Sequence, residues 1–342
     1  MTGEADARVA VSAILVNWRQ PDLTSRAVAS LERQTGLAER GLDLAVVVVD
    51  NGSGDDSLAL LRQRHPQHLV VDGGRNDGFG AGVNTGIRAR PADVYVLLNN
   101  DAEAEPGFVA ALVDELRGAE GDASGGRTTE RRGAVTARIL LAGTDPVLVN
   151  STGNETTRSG NGRDRDWLVP AADEHRPAGE VMGFSGGAAA LDARALDDVG
   201  LFDESLFMYY EDTDLSWRLR RAGWSIRYSP DAVVHHAHAA SSGTGSDVFR
   251  FSNERNRMLV ALRHAPAPVA LTAVARTAAG TLRALLVVAR TPTPEHRADA
   301  RRRLRSFGSA LRLTPANLAR RVRIDRAARV PRRAVAAFLV AE

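Results

Sequence analysis

The 342-residue chain is 44% hydrophobic and 25% charged, an ordinary balance for a soluble protein with one large core and an appendage, or two domains. It has no cysteine, which excludes disulfides and thiolate metal sites. All 44 basic residues are arginine, and the net charge of +2 hides a split: residues 250–342 hold 20 arginines against five acids, while residues 1–249 carry 13 more acids than arginines. The opening stretch MTGEADARVA is acidic and lacks the apolar run of a secretory signal.

Four short apolar runs come first: VSAILVNW (11–18), LAVVVVD (44–50), LVVD (69–72) and VYVLLNND (94–101). Helical patterns follow them, opening at Pro21, near 56–64, and at Pro106. Strands alternating with helices predict a mostly parallel sheet covered on both faces. Polar residues gather at the carboxyl ends of the runs, where open α/β sheets bind ligands. Residues 118–133 read as a flexible loop, and 151–180 as an ordered excursion or a flap. GGAAALD resumes a strand, a helix over 214–222 ends at Gly223, and SIRYSPDAVVHHAH predicts two short strands around Pro230. From about 250 the chain is helical, basic and Ala-rich. Within it Pro268–Arg290 is apolar, but Arg276, Arg283 and Arg290 interrupt it every seven residues. That stripe makes a poor transmembrane span. It leaves two readings, a helix lying in a membrane interface or one packed on the body.

Asp50-Asn51-Gly52-Ser53 is first a tight turn, and a carboxylate there also accepts hydrogen bonds from a nucleobase imide or a ribose hydroxyl. GRNDGFGAGVNTGI has glycines at 78, 80, 82 and 86 but not the dinucleotide spacing, and it follows the third strand rather than the first, which ends in Asn17-Trp18. Without lysine there is no Walker A loop. A close backbone approach remains, with Asn76 and Asn84 supplying amides. In LLNNDAEAEP, Asp101 and Glu103 present two carboxylates to one hard cation bridging a diphosphate, or else an acidic approach to a helix. Of His235, His236 and His238, strand alternation puts the first two on opposite faces, so one of that pair reaches a site. Glu211, Asp212 and Asp214 read as helix-capping acids, yet the apolar LFMYY before them carries them into a half-buried place.

These pieces, in order from about 10 to 263 and including ERNRMLVALRHAP, resemble an inverting family 2 glycosyltransferase of the GT-A fold. The nearest subgroup by resemblance is the bacterial rhamnosyltransferases of cell-wall and O-antigen assembly, with galactofuranosyltransferases nearby. The resemblance implies an α/β domain over 1–265 and a basic helical extension over 266–342. It implies a nucleotide-diphosphate sugar donor, dTDP-rhamnose ahead of a UDP-sugar, and Mn²⁺ or Mg²⁺. Donor contacts fall to Asn17, Asp50, Asn51, Ser53, Asn76, Gly78, Asn84 and Asn100, and the metal to Asp101, Glu103 and His235. Asn99 departs from a strict D-x-D. Asp212 is the expected base beside Glu211, Asp214 caps the helix, and Gly186, Gly187 and Tyr210 border the sugar or acceptor. Tyr209 and Tyr210 supply an apolar wall that raises the base's pKa. A non-catalytic sugar-nucleotide scaffold is the rival of another class. The basic tail has only Phe307 and Phe338 as aromatics beyond 260, so nucleic acid is not expected. Anionic lipid at the cytoplasmic face of the plasma membrane, near a polyprenyl-linked acceptor, is preferred. Pairing of two copies through the C-terminal helices stays open.

Overall fold

The computed structural model describes residues 8–118, 130–237 and 246–342. Its first half alternates as expected: β1 (Val9–Asn17), α1 (Pro21–Glu32), β2 (Leu42–Asp50), α2 (Ser57–Arg64), β3 (Leu69–Asp72), α3 (Phe79–Ala89) and β4 (Val94–Leu98). These four strands are parallel, with β1 between β4 and β2. Their register aligns Asn17 with Asp50 and Asp50 with Asp72, so polar residues line one edge of the sheet. β4 is buried along its whole length, as a central strand covered on both faces must be.

The glycines of the third strand-to-helix connection serve this packing. A Cβ on Gly82 would lie 2.6 Å from the Val16 side chain, and one on Gly86 2.6 Å from Ile14. Both neighbours belong to β1, so the glycine run lets α3 lie directly on that strand.

The chain continues through β5 (Ala102–Ala104), α4 (Phe108–Arg117), β6 (Arg132–Leu141), β7 (Val149–Ser151), β8 (Asn154–Thr156), β9 (Gly162–Asp164), β10 (Gly179–Glu180), β11 (Ala188–Asp192), α5 (Ala193–Val199), α6 (Glu211–Arg221) and β12 (Ser225–His236). The main sheet runs β10-β12-β6-β11-β4-β1-β2-β3, antiparallel where β11 meets β4 and β6. Residues 151–180 form an ordered excursion built around the β8–β9 hairpin. Most of the loop expected over 118–133 lies outside the described residues, as does His238. Where two strands were expected around Pro230 there is one, β12, whose register to β6 shifts between Tyr228 and Val233 and so absorbs the proline.

Four helices complete the chain: α7 (Asp247–His264), α8 (Ala267–Arg290), α9 (Pro294–Ala327) and α10 (Arg332–Val335). They share a core with the body, in which Met182, Leu206, Tyr210 and Trp217 meet Met258, Leu259, Ala310, Val335 and Leu339. The last residues reach back to the excursion, where Val340 N donates to Thr156 O at 3.1 Å and Arg158 N to Val340 O at 3.0 Å.

Candidate active site

At the carboxyl end of β2, Asp50 is buried and already engaged. Its Oδ1 accepts from Asn17 Nδ2 at 2.7 Å and Ser53 Oγ at 2.6 Å, and its Oδ2 from Ser53 N at 3.1 Å. Asn51 Nδ2 reaches Asn76 Oδ1 at 3.2 Å and Gly78 O at 3.1 Å, tying the β3–α3 loop to this turn. Gly78 is needed by the backbone itself: its φ is +93°, and a Cβ would fall 1.8 Å from Phe207 O. Asn84 is a correction. Its amide bonds Phe202 O at 3.0 Å, Glu204 Oε1 at 2.9 Å and Phe202 N at 3.0 Å, which joins α3 to the segment before α6 and leaves nothing for a ligand. Asn100 is buried toward α1, with only 3.4 Å contacts to Gln20 and Thr24.

Asp101, expected to share a cation with Glu103 and His235, has neither beside it. Glu103 and His235 face each other across β5 and β12 on the opposite side. There Glu103 meets Arg26 at 3.8 Å and His235 meets Glu105 at 3.1 Å, all of them well exposed. Alternation instead brings His236 to the site: its Nε2 lies 2.9 Å from Asp101 Oδ1 and 3.3 Å from Asn99 Nδ2, and its Nδ1 2.6 Å from Asn150 Oδ1. A Cβ on Gly187 would sit 3.4 Å from Asn99 Nδ2, which places that glycine against the same cluster.

The acids of α6 separate by environment. Asp212 is half-buried and takes four hydrogen bonds, on Oδ2 from Asn154 Nδ2 at 2.8 Å and Gly186 N at 3.0 Å, on Oδ1 from Thr213 N at 2.6 Å and Thr213 Oγ1 at 3.2 Å. Burial still raises its pKa against those donors. Glu211 is buried, its Oε2 has no hydrogen-bond partner among the described residues, and burial followed by the charge of Asp212 pushes it up to about 8. Asp214 is not the cap that was expected. It sits inside the first turn, fully buried, with Arg218 Nε at 2.9 Å, Arg263 Nη1 at 2.5 Å and His264 Nε2 at 2.7 Å. Burial opposes its charge, but Arg263, Arg218 and His264 together hold it well below the usual range. Burial drives His264 down to about 4, so it meets Asp214 as a neutral N–H donor.

Tyr210 is the residue at the helix start, in left-handed conformation with φ 72°. Its ring is buried beneath β9, and Gly162 N donates to its hydroxyl at 2.9 Å. It therefore carries the hairpin rather than lining an open wall, and Tyr209 packs edge-on against Phe249 at 5.0 Å.

Sequence reading missed Asp164 on β9. Burial raises its pKa to about 6; a Ser151 hydrogen bond lowers it, the charge of Asp212 raises it and that of His236 lowers it. It stands electrostatically between the expected base and the Asp101–His236 pair. The only signal was an acid two places after a glycine in NGRDRD, inside a stretch without periodicity. Asn154 and Asn150 were missed for the same reason.

The family described as Glycosyl transferase family 2 matches residues 12–198, and that described as Glycosyl transferase family group 2 matches 147–261. The N-acetylglucosaminyl-diphospho-decaprenol L-rhamnosyltransferase of Mycobacterium tuberculosis is 32% identical over 216 residues, 58% of this chain and 68% of that one. The pre-mycofactocin glycosyltransferase of the same species is 28% identical over 202 residues, 57% of this chain and 38% of its own length. Among solved structures, GalNAc-T7 with UDP, GalNAc and Mn²⁺ superposes with a TM-score of 0.60 at 14% identity, over 79% of this chain and about half (51%) of that one. Mannosyltransferase PcManGT from Pyrobaculum calidifontis with GDP-Man and Mn²⁺ gives 0.51 at 18% identity, over 90% and 88%. Likeness at that identity establishes the GT-A-like fold, with a helical region added at the C-terminus.

Proposed function

The chain belongs to glycosyl transferase family 2, and from that premise we propose that it moves a sugar, rhamnose first, from a nucleoside diphosphate to a glycan or polyprenyl-linked acceptor with inversion. The observation that carries the reading is Asp212: a half-buried carboxylate oriented by Asn154, Gly186 and Thr213, with the Asp101–His236 pair beyond Asp164. Asp212 takes the proton of the acceptor hydroxyl as that oxygen forms its bond to C1. The bond from C1 to the diphosphate oxygen breaks on the opposite face, and its electron pair leaves with the nucleotide. Glu211, neutral at pH 7, adds no second charge beside the base. Asp164 lies on the acceptor side and accepts a further hydroxyl.

Asp101 and His236 are the residues that would hold a divalent ion. One carboxylate and one imidazole would suit Mn²⁺ more naturally than Mg²⁺, which prefers oxygen ligands. Among the described residues no third acid or histidine joins them to form a protein-only cage. The ion, when bound, neutralises charge on the departing diphosphate. Asp50 with Asn17 and Ser53 offers its remaining lone pairs to the base or ribose. The rhamnosyltransferase relative supports rhamnose and a lipid-linked acceptor.

α8 supports a peripheral site at the cytoplasmic membrane face. It is long and apolar enough to cross a bilayer by length and composition. Its buried face is small, with Ala270, Ala273, Thr277, Thr281 and Ala284, whereas Leu271, Leu282, Leu285 and Leu286 point outward beside Arg276 and Arg283. Large apolar residues out, with arginines between them, is the pattern of a helix lying on anionic lipid.

The test is calorimetric titration of dTDP and UDP, each with and without Mn²⁺, paired with a transfer assay of Asp212→Asn. Metal-dependent preference for dTDP and loss of turnover with intact nucleotide binding are expected. An Asp212→Asn enzyme of unchanged turnover would remove the assignment of the base.

A further inference from the structure

A cavity of about 400 Å³ opens between α6, the segment after α5, and the C-terminal half of α9. Five arginines line it: Arg218, Arg221, Arg263, Arg320 and Arg323. The carboxylates around it are oversubscribed. Asp198 serves Arg131 and Arg329, and Asp203 serves Arg263 and Arg320. Asp214 serves Arg218 and Arg263, and Asp325 serves Arg221 and Arg332. On the lining itself five guanidiniums face three carboxylates, Asp198, Asp203 and Asp214, the first of which serves arginines outside it, and Arg323 has no ion pair among the described residues.

Arg221 sharpens the imbalance. Its side chain is 4% exposed, and only Nη2 is engaged, with Asp325 at 2.7 Å. Nε and Nη1 are buried with no hydrogen-bond partner among the described residues. A buried guanidinium with two unanswered nitrogens leaves its charge poorly compensated in the cavity wall, which favours an anion placed beside it. The rest of the wall is apolar, from Val199, Leu201, Ile324 and Ala327.

We propose that this cavity binds a phosphate group whose carrier rests on the apolar wall. The planar fork of arginine matches phosphate oxygens in pairs, and the excess of positive charge sets the sign of the ligand. The cavity is separate from the cleft at the ends of β1, β2 and β4. Its occupant touches Arg218 and Arg263, which hold Asp214 two residues from Asp212, so it would brace the helix that carries the base. The same chemistry is offered by a free phosphate compound and by the headgroup of a lipid.

Melting temperature of the full chain, followed in chloride-balanced buffer, tests this. One arm titrates inorganic phosphate and pyrophosphate. The other titrates dioctanoyl phosphatidic acid below its micelle concentration, with dioctanoylglycerol as the phosphate-free control. A saturable rise is expected in at least one phosphate arm, its apparent affinity weakened about tenfold or more by Arg323→Glu and by Arg221→Gln. A rise with inorganic phosphate assigns the site to the group alone. A rise with phosphatidic acid only, and none with dioctanoylglycerol, assigns it to a lipid. Arg323 is exposed and has no ion pair among the described residues, so its variant carries the test if Arg221→Gln does not fold. No rise in either arm overturns the proposal, as does a rise that Arg323→Glu leaves unchanged, which would put the phosphate in another cleft.

Discussion

Asn256 on α7 donates from Nδ2 to the carbonyl oxygen of Tyr209 at 2.7 Å, and the same amide reaches Leu206 O and Met208 O at 2.9 Å. The backbone it holds is unusual. Phe207, Tyr209 and Tyr210 have φ of 63°, 68° and 72°, left-handed values at three bulky residues immediately before Glu211 and Asp212. Each such residue costs on the order of 1–3 kcal/mol, and the surroundings must repay it. Asn256, fully buried, is a large part of that repayment. It is a positioning residue for the acids of α6.

Asn256→Leu keeps the volume and removes the donors. It is expected to cost about 2–4 kcal/mol of stability through unpaired carbonyls and strain, read by urea unfolding. The folded fraction should show a larger loss of kcat than of nucleotide affinity, because the donor side meets this turn only at Phe207, whose carbonyl accepts from Phe79 N at 3.0 Å and packs against Gly78. Equal losses in both would place the clamp elsewhere.

Glu211 predicts the pH dependence of stability. Its pKa rises from 4.5 to about 8 on folding, so the folded state holds the proton more tightly. Its stabilising share is complete below about 4.5 and is lost as pH climbs toward 8, a total on the order of a few kcal/mol. Glu211→Gln should flatten that slope and unfold at higher urea than the wild type at pH 9. Parallel wild-type and variant slopes between pH 5 and 9 would contradict a buried neutral acid.

For the metal, the two neighbouring histidines give opposite expectations. His236→Ala is expected to weaken Mn²⁺-dependent nucleotide binding at least as much as the roughly 10- to 100-fold that outer-shell partners carry. His235→Ala, which removes only an exposed contact to Glu105, should bind as the wild type does. Calorimetry of the two variants side by side separates them.

That pair shows what was legible in the sequence. Four strands, three of the helices that follow them and the acids of α6 were readable, because short apolar runs, proline helix starts and clustered polar residues are local signals. Which of two adjacent histidines faces the site depends on register, and the register of β12 is set by pairing with β5 and β6 and by the shift at Pro230. Asn84 looked like a ligand because nothing local says that Phe202, more than a hundred residues on, claims both ends of its amide. Asp214 looked like a cap because its partners, Arg263 and His264, lie 49 and 50 residues further along the chain on α7 and meet it only in the fold.

Asp164 is the acid that only the fold reveals, and coupling is its test. The charge of Asp212 raises its pKa, and such coupling is mutual. Asp164→Asn removes a like charge near the base, so the acid limb of kcat/KM should move to lower pH. The acceptor KM should rise while donor affinity holds. An unmoved limb would make Asp164 a structural acid of the hairpin.

Membrane attachment needs a gentler probe than removing the basic helices. Truncation at 265 would take away Asn317, whose Oδ1 holds Arg263 at 2.8 Å and whose Nδ2 holds Leu259 O at 2.7 Å. It would also take Val340, which is bonded to β8, and half of the core that the C-terminal helices share with the body. Such a chain is expected to unfold, and an unfolded chain sediments with liposomes for the wrong reason. Replacing Leu271, Leu282 and Leu286 by serine touches only outward side chains, from 50% to 68% exposed, so melting temperature should hold within a few degrees. Sedimentation with liposomes rich in anionic lipid should fall sharply for this triple variant, and wild-type binding should weaken as salt rises. Undiminished sedimentation of the folded variant would leave α8 a helix packed on the body, with its leucines free to meet another copy of the chain.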